Sequence, residues 1–169
     1  MRPSVWVAKQ KPHQGFHFIL KTLFYADKFH LQKYGRPVLG DTYIKMDWGP
    51  VASTAYDLRK QSDFAPENAL DAVSNALHVQ KVHRPDVIAK REPNMALFSG
   101  TDIEALEEAL HFCQDKDFND LSDITHKEKA WIDALMNSKM DYELFIDEDV
   151  ENRDELIEYI RENSQTVVV

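Results

Sequence analysis

Asp27 and His30 stand three residues apart in the stretch KTLFYADKFHLQKYGRPV, residues 21–38. They fall where a helix would turn an apolar stripe inward. Side chains three apart on a helix are neighbours, so two chemistries fit. One is an acid–base pair in a pocket. The other is structural: Asp27 holds His30, or a backbone amide, near the Gly-Arg-Pro turn that follows. An unpaired charge in an apolar stripe costs on the order of several kcal/mol, so either reading demands partners. No nucleophile accompanies the pair, and the structural reading is preferred. A metal-dependent enzyme built on Asp27 and His30 is the alternative from a different class.

The other candidates for chemistry are weaker. His13 and His17 have the four-residue spacing of helical metal ligands, but Gly15 lies between them and no paired cysteines support them. They are read as surface or capping histidines. His111 and Asp115 form one polar pair on a solvated face. The acidic run DEDVENRDE, residues 147–155, has no central glycine for a calcium loop; it reads as a solvated helix start whose acids suit the helix dipole. Cys113 sits at the edge of a helical apolar face and reads as a buried, inert thiol. Neither a nucleophile elbow nor a phosphate loop is present, and five scattered glycines do not make a dinucleotide fingerprint. No cofactor is implied.

The elements that must position these residues follow from apolar spacing and turn signals. Residues 1–15 are expected to be irregular, with Pro3 and Pro12. A helix is expected over about Gln14–Tyr34, its stripe formed by Phe16, Ile19, Leu20, Leu23, Leu31 and Tyr34. Gly35 and Pro37 end it. Asp41 is expected to cap a short helical turn. Trp48-Gly49-Pro50 then breaks the chain, and Pro50 opens a new helix that buries Val51, Ala55 and Leu58. The pattern is weak over 66–75. Residues 76–98, rich in Val, Ile and Leu with turn signals at Arg84-Pro85-Asp86 and Glu92-Pro93-Asn94, predict two or three short antiparallel strands. Three capping-box spacings follow: Thr101 with Glu104, Thr125 with Glu128, and Asn152 with Glu155. Together they predict a helix-rich second half, and SQTVVV is expected to be a frayed tail. The fold class is α+β, predominantly α-helical: a single compact domain over 16–165 with a small antiparallel sheet inserted mid-chain, followed by a tail at 166–169.

Bulk properties narrow the function. The chain has 169 residues, enough for one domain with a proper core. A formal charge of −9 disfavours a nucleic-acid-coating role, because phosphate contacts need clustered Lys and Arg. The basic segment KVHRPDVIAKRE is a modest patch on an acidic protein, and no helix-turn-helix with a basic reading helix stands out. One cysteine excludes an internal disulfide and fits a reducing compartment. No secretory signal and no run of membrane-spanning length is evident. The expected location is the cytoplasm.

Phe18, Tyr25 and Phe29 line up on the opposite side of the first long helix, at i, i+7 and i+11. Either that helix is sandwiched in the core or this face receives a partner. Aromatics beside Lys and Arg are the usual composition of a binding hot spot. Read that way, Phe18, Tyr25 and Phe29 with Lys21, Lys28 and Arg36 are the candidate contact residues.

The same region carries a family resemblance. LKTLFYADKFHLQKYGRPVLGDTYIKMDWGPV, residues 20–51, resembles the signature of the Panacea, or SocA-like antitoxin, domain, a family that includes phage-associated proteins. The matching positions are Lys21, Leu23, Tyr25, Ala26, Asp27, His30, Leu31, Tyr34, Gly35, Arg36, Pro37, Gly40, Asp41, Tyr43, Gly49, Pro50 and Val51. A second motif, LSDITHKEKAW, resembles the family's Leu-Ser-x-x-Thr-His before a helix bearing Trp, here Trp131. The resemblance implies a mostly α fold with a small sheet. It implies an antitoxin that neutralises a cognate protein toxin by direct binding, with no catalytic residue. Members occur in bacteria, prophages and mobile elements, and one branch delivers a toxin to a protease as an adaptor. A phage- or plasmid-borne adaptor or regulator of a host protein is therefore the second reading. Two departures stand out. The family's first helix is expected to be truncated or absent here, and Ala52 stands where Pro is common. The motif residues imply that Asp27 and His30 brace the Gly-Arg-Pro turn against the Gly49-Pro50 break.

Overall fold

The computed structural model describes residues 2–60, 75–80 and 86–165, apart from the side chains at 57–60, 79–80, 86 and 163–165. Leu58's side chain, most of the weak segment 66–75, the turn at Arg84-Pro85 and the tail 166–169 lie outside the described residues. Among these, the helices are α1 (Arg2–Gln10), α2 (Phe16–Tyr34), α3 (Ser53–Lys60), α4 (Gly100–Cys113), α5 (Phe118–Thr125), α6 (Lys129–Asp133) and α7 (Arg153–Gln165). Five short strands join them: β1 (Gln14–Gly15), β2 (Tyr43–Met46), β3 (Gly49–Ala52), β4 (Leu77–Gln80) and β5 (Asp86–Ala89). The fold is thus α+β and mostly helical, as expected.

Helix α2 is the axis of the molecule. It packs against α1, α4, α5, α7 and strand β3. A helix surrounded in this way carries apolar residues on every side. Phe24 meets Tyr43 and Phe145 edge-on, while Tyr25 packs on Phe112, 4.6 Å between centroids. The apolar stripe and the aromatic line read from the sequence are therefore two covered faces, open only at Tyr34 and half-buried at Phe29. Gly35 ends the helix at φ 68°, and its amide donates to the Leu31 carbonyl at 2.9 Å. That left-handed C-terminal geometry is where glycine is favoured.

The N-terminal segment departs from expectation. Rather than being irregular, it forms α1, with Pro3 through Ala8 all buried. Pro3 sits in the first turn, where its missing N–H would have no partner anyway, and Pro12 falls beyond the helix end. The helix expected to be truncated or absent is present in nine residues.

The sheets also differ from the expectation of one mid-chain sheet. Strands β4 and β5 form the expected antiparallel pair, and β1 joins it in the order β1-β5-β4. The second sheet is a hairpin, β2–β3, pairing Tyr43 with Ala52 and Met46 with Gly49 across the turn Asp47–Trp48. Trp48-Gly49-Pro50 is thus a hairpin tip, not a helix start, and α3 begins only at Ser53. Pro50 fits the strand because its carbonyl, not an N–H, is what the fold uses. The backbone of 137–140 runs along the free edge of β2: Lys45 donates to Ser138 and Met140 to Tyr43.

Capping follows the same chemistry as expected at shifted positions. Ser99, not Thr101, caps α4 in a box with Asp102. Asp117 and Asp120 form a second box at α5, while Thr125 lies inside that helix and Glu128 precedes α6 without a side-chain cap bond. Asn152 precedes α7 as expected, but at φ 58° rather than in the extended geometry of a capping residue. Asp41 does cap a helix, though from a distance. Its carboxylate accepts from the amides of Thr54 and Ala55, both at 3.1 Å, at the start of α3. Asp41→Ala is expected to cost about 1 kcal/mol, the usual worth of an N-cap. Thermal unfolding should show it as a drop of about 2–4 °C.

Candidate functional site

Four ionisable side chains of α2 are buried: Lys21, Asp27, Lys28 and His30. Each solves its burial differently. The carboxylate of Asp27 is fully enclosed. It accepts from the Leu39 amide at 2.6 Å, the Gly40 amide at 3.3 Å and the Tyr43 hydroxyl at 3.0 Å. Burial pushes its carboxyl up to about 7, against the pull of those donors. His30 serves the preceding stretch of the same loop. Its Nδ1 donates to the Arg36 carbonyl at 2.6 Å, and its Nε2 meets the Thr101 hydroxyl at 3.0 Å. Burial holds its pKa below the usual histidine range. Both nitrogens of His30 and both oxygens of Asp27 are thus engaged within the fold.

Lys28 pairs with Glu128 and with Asp147 at 2.9 Å. Its cation ties α2 to the chain entering α6 and to the acidic run. Gln32 also donates to Asp147, at 2.8 Å. Lys21 is different. It is 1% exposed, and its amine donates to the Pro50 carbonyl at 2.9 Å. Burial lowers its pKa to about 7. It is therefore Lys21, rather than Asp27 or His30, that holds the Gly49-Pro50 corner. Gly49 has φ 94°, and a Cβ there would lie 2.7 Å from the Lys21 amine and against the Thr125 hydroxyl. Only glycine lets the hairpin close onto α2 and α5.

These facts correct the expected contact surface. Phe18, Tyr25, Lys21 and Lys28 are buried, and Phe29 is half-buried against Phe112. An amphipathic reading of α2 placed them outside because it could not include α4, which covers that face. Arg36 is exposed but engaged, donating to Asp102 at 2.8 Å. Tyr34, 39% exposed, donates to Glu104 at 3.1 Å. Pro37 and Gly40 belong to the loop that Asp27 and His30 hold. Trp131 donates to the Met46 carbonyl at 3.2 Å and stacks on His126, docking α6 on the hairpin. Cys113 is buried, and burial raises its thiol to about 11, consistent with an inert core residue.

The accessible aromatic surface lies elsewhere. Trp48, at the hairpin tip, is 61% exposed and meets Phe118, 45% exposed, at 5.4 Å. His17 packs under Phe118 at 4.1 Å, and its Nε2 donates to the Trp48 carbonyl at 3.3 Å. Burial, and then the nearby Lys21, lower the His17 pKa to about 4, so it is neutral at physiological pH. Together these residues wall a groove of about 1040 Å³ between β1, the start of α2, the hairpin tip and the start of α5. Lys21 is among its lining residues. The sequence held a signal for it: an aromatic between Asp47 and Gly49 in a tight turn has little backbone around it to bury its ring. Among the described residues, no group of three or more His, Cys, Asp or Glu could hold a metal ion, and no helix is long and apolar enough to cross a membrane.

An aromatic groove with a few convergent polar groups has the usual form of a ligand or active site. The antitoxin SocA-like, Panacea domain matches residues 19–132, more than half of the chain. The chain belongs to this SocA-like antitoxin family. No curated relative and no solved structure matches it.

Proposed function

We propose that this protein neutralises a partner toxin by direct protein–protein binding, as the antitoxin of a type II toxin–antitoxin pair acting in the bacterial cytoplasm. The observation that carries the reading is the family match over 19–132. That span includes most of α2, the hairpin and α5, which wall much of the aromatic groove; β1 and the first three residues of α2 precede it. The engagement of Asp27 and His30 in loop and helix contacts favours this reading over a catalytic one.

Co-expression tests it. The neighbouring reading frame is expressed alone, then with this protein. Growth arrest relieved by co-expression is the expected result. Arrest that persists at equal expression would remove the antitoxin reading for that pair. No arrest at all would shift attention to an adaptor role on a host protein.

A further inference from the structure

Helix α2 carries two buried lysines seven residues apart, and they are not equivalent. Lys28 has two carboxylates, Glu128 and Asp147. Lys21 has no carboxylate partner among the described residues; its one hydrogen bond there goes to the Pro50 carbonyl. A buried ammonium with three donors and one neutral acceptor is electrostatically incomplete. It also lines the groove whose walls are Trp48 and Phe118.

We propose that this groove recognises a carboxylate on an apolar segment of the partner protein, with the apolar side chain between Trp48 and Phe118 and the carboxylate at Lys21. The proposal rests on the antitoxin reading for the identity of that partner. Charge decides the class of occupant. Asp47, Asp117 and Lys116 also line the groove; the Lys116 amine is engaged by the Phe112 carbonyl and ring, and the two carboxylates would repel a polyanion such as nucleic acid. A single carboxylate on an apolar body matches the amine of Lys21, the groove-lining lysine without a carboxylate or ring partner among the described residues. The lysine's low affinity for its proton has the same origin, burial without a counter-charge, and an arriving carboxylate supplies what is missing. Trp48 and Phe118 provide the aromatic anchor surface that dominates protein interfaces.

Two arms test this. In the first, 3-phenylpropionate, its neutral amide and inorganic phosphate are titrated into the full chain while the Trp48 indole N–H is followed by NMR. The carboxylate is expected to bind at least about tenfold tighter than the amide, a difference of ~1.4 kcal/mol. Lys21→Met should erase that difference and keep amide binding. Trp48→Ala, at an exposed position, should weaken both. Equal binding of acid and amide to the wild type would overturn the proposal. So would phosphate binding as tightly as the acid, or a Trp48→Ala protein that binds unchanged. The second arm uses the toxin in growing cells. Trp48→Ala and Phe118→Ala should lose most of the rescue, while Met95→Ala, another exposed apolar residue, should keep it. Rescue by wild type and by both groove variants alike would discard the docking site and leave the antitoxin reading intact. Absence of rescue by wild type would discard the partner, and the docking with it, while the titration still reads the pocket chemistry.

Discussion

Asp27→Ala is expected to destabilise the protein by about 4 kcal/mol, because it removes the common acceptor of three hydrogen bonds at once, each worth on the order of 1–1.5 kcal/mol. The donors are the amides of Leu39 and Gly40 and the hydroxyl of Tyr43. Tyr43 is itself fully buried, wedged between Phe24, Tyr142 and Phe145. Without Asp27 its hydroxyl keeps only the Leu23 carbonyl, at 3.2 Å, as an acceptor. The loop from Gly35 to Gly40 would lose its anchor on α2, and with it the approach to the hairpin. For a chain of this size about 4 kcal/mol corresponds to a fall of roughly 8–16 °C in melting temperature. Thermal unfolding followed by circular dichroism reads this directly. A normal melting temperature with lost partner binding would contradict the structural role and make Asp27 a contact residue instead. Asp27→Asn separates the two effects of the side chain. It keeps one acceptor, so it should fall between wild type and Ala. It also removes the titration: the folded carboxyl has a pKa near 7 and the unfolded one near 3.8. Between those values the folded state holds a proton the unfolded state has released. The wild type should therefore lose stability from this group as pH rises from about 4 to about 7, and Asp27→Asn should not.

Which parts of this molecule could be read from the chain depends on whether the cause is local. The long helix, its end at Gly35 and the helical second half follow from spacing and turn chemistry within a few residues, and they are where the apolar pattern put them. The β2–β3 hairpin was hidden because Gly49-Pro50 is a signature shared by turns and helix starts. What selects the hairpin is the 137–140 segment pairing along β2, some ninety residues away. The capping boxes show the same limit at finer scale. Thr101 and Glu104 have the right spacing, yet Ser99 and Asp102 win, and Thr101 is left to meet His30 from across the helix interface. The binding face failed for a tertiary reason too. Phe18 and Tyr25 are indistinguishable by type from Trp48 and Phe118; only the docking of α4 and α5 decides which aromatics remain open. Asp27 and His30 sit in the apolar stripe, as expected, but they do not serve each other. They hold separate points of one loop, a division that residue spacing does not carry.

Lys21 should give the protein a stability that rises on the alkaline side. Its folded pKa is about 7 and its ordinary value 10.5. Between pH 7 and 10.5 the unfolded chain binds a proton that the folded chain has released, so stability from this group increases with pH across that window. Burial is the main cause of the shift; Cys113 acts the other way, through its thiolate form. His17, the other titratable neighbour on α2, is held near 4 and stays neutral throughout. The size of the effect is on the order of a few kcal/mol, from about 1.4 kcal/mol for each unit of difference in pKa. Lys21→Met keeps the unbranched side chain, one atom shorter, and removes the charge, so its unfolding free energy should be flatter between pH 7 and 10 than the wild type's. It should also be the more stable protein at pH 6, where the wild type must either bury an ammonium or give up its proton. Denaturant unfolding at pH 6, 8 and 10 measures both. Parallel profiles for wild type and Lys21→Met would mean that the amine is as well paired folded as unfolded, and would argue against a groove that lacks its anion. A steeper profile in the wild type would show that the fold carries an uncompensated cation beside an open aromatic surface, a cost that an arriving carboxylate is suited to relieve.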